Sequence, residues 1–371
     1  MMNKTLGIVF SNMHDSTLGQ LTENRTMASV PFGGRYRLID FVLSNLINSG
    51  IKDVGVITKS NFQSLMDHLG NGKEWDLSRK NGGLTILPPY GRQEAVYYRG
   101  RLEALANIYA YIRDSKADLV VMTDCDSIAS VDYADAIRYH KECGADITVF
   151  YQHKKLPKKS HRDVTTISMD ENRRVTAAFI NPEHESGNVL LNMTIISKRL
   201  LERIIADSTS SSYYSFTQGV LQQGCQFLKI YGYEFKGYVA DIKSLQSYYD
   251  CTMDLLNPQV RAQLFPQDRP VYTKVRDEVP VKYRINASAK NSMIADGCII
   301  EGTVENSVIF RGVKIGRGAV VKDSIIMQGT VVGENSVLDC VVTDKDVMIR
   351  DSRKLIGCKD YPFFVQKGTA V

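Results

Sequence analysis

The chain has no run of about 18 consecutive apolar residues, the length a membrane-spanning helix needs, so no membrane partner is expected. Nor is a leader expected. Its start, MMNKTLGIVF, carries one Lys and a short apolar stretch, then passes into SNMHDS without a small-residue cleavage site, which reads as a first strand. Cysteine pairing is missing too. The seven Cys (125, 143, 225, 251, 298, 340 and 358) are scattered and odd in number, with no C-x-x-C. That argues against a disulfide framework or a zinc site and fits reduced thiols in a cytoplasm. A strong excess of one charge is absent, the net being +5. The one dense basic stretch, HKKLPKKSHR at 153–162, reads either as a solvated loop or as a contact for a phosphate-bearing effector or acidic partner. No nucleic-acid module accompanies it, so no nucleic-acid partner is expected.

What is present is ordinary globular composition, 43% hydrophobic and 23% charged, over 371 residues, enough for two domains. The first 250 residues alternate strand and helix. Leu6–Phe10, Asp53–Thr58 and Leu119–Thr123 are strand-like apolar runs, with Ile147–Tyr151 and Leu190–Ile196 as further strands. Ile39–Asn48 has helical apolar spacing, and helices are also expected over Asn61–Leu69 and 101–113. Such alternation implies a mostly parallel α/β sheet covered on both faces, with ligands beyond the carboxyl ends of its strands. Asp126 lies just past one such end.

From about residue 287 the texture changes. Aliphatics recur six apart, as in Ile294 and Ile300, then Ile309, Ile315 and Val321, then Ile326, Val332 and Leu338, with slips of phase between runs. A period of six is the hexapeptide signature of a parallel β-helix; an antiparallel β domain is the competing reading. The expected domains are therefore 1–250, a proline-bearing connector 251–286, and a β-helix 287–371. A partly apolar β-helix is also an expected oligomer contact.

Residues 21–50, LTENRTMASVPFGGRYRLIDFVLSNLINSG, followed by IKDVGVIT, resemble the N-terminal signature of bacterial glucose-1-phosphate adenylyltransferase (ADP-glucose pyrophosphorylase). VVMTDCDSIASVDY and GYVADIKSLQSYYDC resemble the two segments that carry that family's metal-binding carboxylates, and YYRGRLEA resembles the segment bordering its nucleobase. The resemblance covers nearly the whole chain. It implies a nucleotidyltransferase fold, Rossmann-like and of the GT-A type, followed by a left-handed β-helix.

The family's reaction joins two anionic phosphates, and so needs backbone N–H donors, cations and a carboxylate-held Mg²⁺. Here the departures are specific. The family's glycine-rich loop G-G-x-G-T-R-L is replaced by Asn12, Met13, His14, Asp15, Ser16, Thr17 and Leu18. The cation positions of its Lys-Pro and Glu-Lys-Pro motifs are held by Met27 and Asn181. Two cations are lost and one anion, Asp15, is gained in the loop region alone. Loss of one transition-state donor costs about 10²–10³ in rate, so several losses imply little or no turnover by the lone chain.

By the same resemblance Asp126 and Asp241 match the metal-binding carboxylates, either clamping a divalent ion or forming structural hydrogen bonds and pairing with Lys243. Tyr98, Arg99, Gly100 and Arg101 match a nucleotide-binding segment, in which Arg101 and Leu102 would crowd a base. Arg25, Arg35 and Arg37 fall in a region associated with subunit contacts and effectors. No cofactor is required by this reading, with Mg²⁺ left either to the degenerate site or to a partner subunit. The pattern of loss resembles the family's regulatory subunits. It implies a heterotetramer with catalytic glucose-1-phosphate adenylyltransferase subunits, a sugar-phosphate effector, and a role in ADP-glucose supply for glycogen synthesis. The alternatives are a weakly active pyrophosphorylase and a non-catalytic nucleotide or sugar-phosphate sensor.

Overall fold

The computed structural model describes residues 4–371, apart from residues 12, 14, 90–97, 157–163, 184 and 212–213 and the side chains of 209–211. Four parallel strands form one half of the main sheet, in the order Gly83–Leu87, Asp53–Ile57, Thr5–Phe10 and Leu119–Asp124. Thr5–Phe10 and Leu119–Asp124 are almost wholly buried, as expected of parallel strands covered on both faces.

Beyond Leu119–Asp124 the direction reverses. The long strand Ser186–Ser197 runs antiparallel to it and to Ile147–Lys155. Ile230–Glu234 and the hairpin Thr165–Met169/Val175–Ile180 complete nine strands. The sheet is therefore mixed, with Ser186–Ser197 and Val175–Ile180 running against the other seven strands.

Helix Leu38–Asn48 is started by Asp40, whose carboxylate accepts the Arg37 backbone N–H at 2.9 Å. The stretch expected as one helix at 101–113 is two, Arg101–Asn107 and Tyr109–Asp114, broken at Ile108 (φ −103°, ψ 15°). Among the described residues no helix is long and apolar enough to cross a membrane.

The C-terminal region is a left-handed parallel β-helix of hexapeptide type, built as three five-stranded parallel sheets. The slips of phase have a plain cause. Ser288 pairs with Thr303, fifteen residues on, Thr303 pairs with Val320, seventeen on, and Val341 pairs with Phe363, twenty-two on, so the coils depart from a full eighteen in both directions. Residues are dropped at corners held by left-handed Asn291, Asn306, Asp323 and Cys340. The first coil begins at Lys282, and helices Leu245–Asp254 and Pro258–Leu264 lie across and within the expected connector.

One β-helix face is not free. Val308, Ile325 and Val342, with Phe310 and Met327, join the core formed by Phe32, Phe41, Leu255 and Leu264. Burial of each such side chain contributes about 1.5–3 kcal/mol. Within the junction Arg25, 3% exposed, makes a two-pronged bond to Asp344, at 2.8 and 2.9 Å. The two regions thus share one core.

Candidate functional site

The segment after Thr5–Phe10 closes on itself. Asp15 begins a single 3₁₀ turn, and its backbone carbonyl accepts Thr22 Oγ1 at 2.6 Å. Its carboxylate accepts the backbone N–H of Met27 at 2.7 Å, at the start of another 3₁₀ turn, Met27–Ser29. An anion belonging to the chain therefore occupies a donor of the kind that a phosphate-binding loop offers to its ligand. The Met27 side chain is 2% exposed within the apolar core, a place where an ammonium would be stranded. Met13 packs partly against the second core, Ser16 is exposed and Thr17 half-buried. Asn12 and His14 lie outside the described residues.

The two metal-type carboxylates do come together. The short antiparallel ladder of Ser127–Ile128 with Ala240–Asp241 pairs Asp241 with Ser127, and the Ile242 N–H donates to the Asp126 carbonyl at 2.8 Å. Each carboxylate already holds an internal donor. Asn192 Nδ2 donates to Asp126 at 2.6 Å, and Lys243 Nζ sits 3.2 Å from Asp241. The Lys154 ammonium also faces Asp241; its pKa is lowered by burial, against the pull of that carboxylate. Asp241 Oδ1 is enclosed with no hydrogen-bond partner among the described residues. Carboxylates already engaged by an amide and an ammonium are a poor start for a divalent ion, which takes about six or more oxygen ligands. Among the described residues no cluster of three or more metal-ligating side chains exists.

Arg101 closes the cleft from the other side. Its guanidinium reaches Asp124 at 2.6 Å and lies beside the Phe10 ring. The cavity between Arg101, Asn192, Phe216, Thr217 and Lys243 measures about 30 Å³. Gly100 is held extended, and a Cβ there would meet the Tyr214 carbonyl oxygen at 2.1 Å, so its glycine serves close packing. Tyr98 is buried, and Arg99 stacks on Tyr214 and pairs with Glu103. Asn181 sits apart, exposed at φ 52°, where an Asn is better tolerated than a Lys.

The arginines divide. Arg25 is spent on Asp344. Arg35 and Arg37 instead line a narrow cleft of about 20 Å³ between the two regions, with Lys274, Arg276, Arg311 and Lys345. Among the described residues no carboxylate lines it. Arg37 donates to the Ser64 carbonyl at 2.6 Å, and Arg311 pairs with Asp296. Among the described residues Arg35, Arg276 and Lys345 pair with no carboxylate. Burial, then the neighbouring Arg37 and Arg25, pull the Lys345 ammonium down to about 7, and burial lowers Arg37 to about 10. Beneath them, buried Asp40 joins His68 at 2.5 Å and Thr273 at 2.6 Å, tying the connector to helix Leu38–Asn48.

Residues 15–257 match the family described as Nucleotidyl transferase, and residues 279–360 match the GlmU-like C-terminal hexapeptide family. A glucose-1-phosphate adenylyltransferase from Fervidobacterium nodosum is 32% identical over 96% of this chain and 86% of its own length. The chain belongs to the glucose-1-phosphate adenylyltransferase family. Two family members named glycogen biosynthesis protein GlgD are similar along almost their whole lengths. The protein from Geobacillus stearothermophilus is 40% identical, over 100% of this chain and 98% of its own, and that from Bacillus subtilis (strain 168) is 34% identical, over 99% and 96%.

Against the family's nucleotidyltransferase pattern, the residues that sequence reasoning missed are Asp124, Asn192 and Asp344 and the cleft cations Lys274, Arg276, Arg311 and Lys345. Spacing carries no signal for them, because Asn192 lies 66 residues from Asp126 and Asp344 lies 319 from Arg25.

Proposed function

We propose that this protein is a non-catalytic regulatory subunit of glucose-1-phosphate adenylyltransferase, acting in glycogen synthesis by changing the turnover or affinity of catalytic subunits. The observation that carries this reading is the internal neutralisation of the catalytic-type cleft. Arg101 holds Asp124, Asn192 holds Asp126, Lys243 holds Asp241, and Asp15 holds the Met27 N–H. Residues so engaged do not fit Mg²⁺. The two GlgD relatives support the glycogen assignment.

The regulatory half of the reading rests on the basic cleft. Several closely spaced cations without carboxylate partners repel one another, and a phosphate-bearing effector relieves that repulsion. Since connector and β-helix both contribute, binding there biases how the two regions meet, which is the differential contact that regulation requires.

The test is ADP-glucose synthesis from ATP and glucose 1-phosphate with Mg²⁺, by this chain alone, a catalytic subunit alone, and the mixture. The expected result is no turnover alone and a changed rate or affinity in the mixture. Clear turnover by the lone chain overturns the proposal, as does a mixture that behaves as the catalytic subunit by itself.

A further inference from the structure

The four parallel strands of the main sheet begin at Gly83, Asp53, Thr5 and Leu119, and a lysine stands one or three residues before each start. In sheet order these are Lys80, Lys52, Lys4 and Lys116. Neighbouring strands lie about 4.8 Å apart, so the row spans about 14 Å of backbone. Lys141 joins it from the last turn of helix Tyr133–Glu142. All five line one open groove of about 980 Å³ at the amino edge of the sheet, the end away from the catalytic-type cleft.

Lysines often gather where helices end, because a cation answers the negative end of the helix dipole. Helices Leu38–Asn48, Tyr109–Asp114 and Tyr133–Glu142 all end here, but other donors close their last carbonyls. The Ser49, Gly50 and Ile51 N–H groups close the first, and those of Cys143, Gly144 and Ala145 close the third. Lys198 Nζ closes the second, donating to the Arg113 carbonyl at 2.7 Å. Three carboxylates line the groove, and each is engaged by a group other than these lysines. Asp53 accepts the Tyr111 hydroxyl at 3.2 Å, Asp114 pairs with Arg113 at 2.9 Å, and Arg138 reaches Glu142 at 4.0 Å. Among the described residues none of the five lysines has a hydrogen-bond or ion-pair partner.

We propose that this groove binds linked phosphates, held by their charge along the row of ammoniums. Lysine is a compact point charge that serves phosphate oxygens without the planar, two-pronged geometry that arginine brings. Five unpartnered ammoniums in one concavity focus a positive potential there. A ligand with several negative charges in line answers more of them than a lone phosphate or carboxylate does. Between the cations lie Ile51, Ala117, Ala134 and Ile137, and among the described residues no aromatic ring lines the groove. A nucleobase therefore finds nothing to stack on. Recognition falls on the phosphates themselves, whether of an inorganic chain or of a nucleotide's tail. The groove shares no lining residue with the basic cleft at the junction, and the inference does not rest on the regulatory reading.

The test is lysine acetylation of the full chain, read residue by residue by mass spectrometry at constant ionic strength. Sodium tripolyphosphate should suppress modification of Lys4, Lys52, Lys80, Lys116 and Lys141. It should leave Lys290 and Lys322, exposed on the β-helix, unchanged, and sulfate should protect none of them. ATP without Mg²⁺ should protect no better than tripolyphosphate. A long inorganic polyphosphate that binds more tightly than either assigns the source to an inorganic chain, and equal binding of all three assigns it to a nucleotide's tail. Calorimetry with tripolyphosphate on Arg276→Glu, in which the junction cleft is weakened, reads the groove separately. There Lys52→Glu and Lys116→Glu should each weaken binding about tenfold or more. Lys80→Gln, in the exposed turn before Gly83, carries the same test should a reversal fail to fold. The inference is overturned by equal protection of all lysines, by protection that sulfate reproduces, by protection with ATP and none with tripolyphosphate, or by an affinity that the lysine variants leave unchanged.

Discussion

Two clefts in this molecule handle charge in opposite ways. At the carboxyl ends of the main sheet, Arg101, Lys243, Asn192 and the Met27 N–H answer four carboxylates. At the junction of the two regions six cations converge with no carboxylate on the lining. Charge balanced from within gains little from a charged ligand. Charge left unbalanced is a standing free-energy cost that an anion removes. The contrast locates responsiveness at the junction and inertness where the family's chemistry would be.

The largest effect that would break this contrast is structural. Arg25→Ala leaves Asp344 buried without its partner and should cost about 3–5 kcal/mol in denaturant unfolding. The Arg25→Ala/Asp344→Ala double variant should lose less, because no lone charge then remains. Next, charge reversal at Arg35 and Arg37, or Arg276→Glu, should weaken binding of a phosphorylated sugar by about tenfold or more, or 1.4 kcal/mol. Calorimetry checks this, and an unchanged affinity would remove the junction as the effector site.

A smaller effect concerns pH. The Lys345 ammonium sits at about 7 in the folded chain, below its unfolded value near 10.4. The unfolded chain therefore binds more protons between these values, and stability rises with pH across that window. Below about pH 7 the penalty is fully present. Lys345→Met should thus raise the melting temperature most at or below neutral pH and hardly at all near pH 10, while weakening anion binding. The smallest expected change is in the inert cleft. Lys243→Gly frees Asp241 and should confer a weak, millimolar-range response to Mn²⁺ in thermal shift; a strong response already in the wild type would contradict the account of that site.

Much of this was legible in advance, and for identifiable reasons. The period-six aliphatics carried the β-helix because every coil repeats one local solution. Leu38–Asn48 declared itself through its apolar spacing, and Asp126 and Asp241 through their motifs. The reversal at Ser186–Ser197 was not legible, since an apolar strand carries no sign of its direction. Nor was the division among Arg25, Arg35 and Arg37, which stand within thirteen positions of one another. Their different fates are set by Asp344 and Lys345, over three hundred residues away. Helix 101–113 broke at Ile108 without any Gly or Pro to announce it.

The Arg25–Asp344 bond also bears on how the protein is made. Its partners lie 319 residues apart, and a ribosome adding about 5–20 residues per second needs roughly 15–60 s to travel that far. Through that interval the nascent nucleotidyltransferase-like half waits with a guanidinium and an apolar wall uncovered. The last coils of the β-helix act as its closing piece, and a transcript cut short of them should yield a chain that chaperones hold and proteases clear.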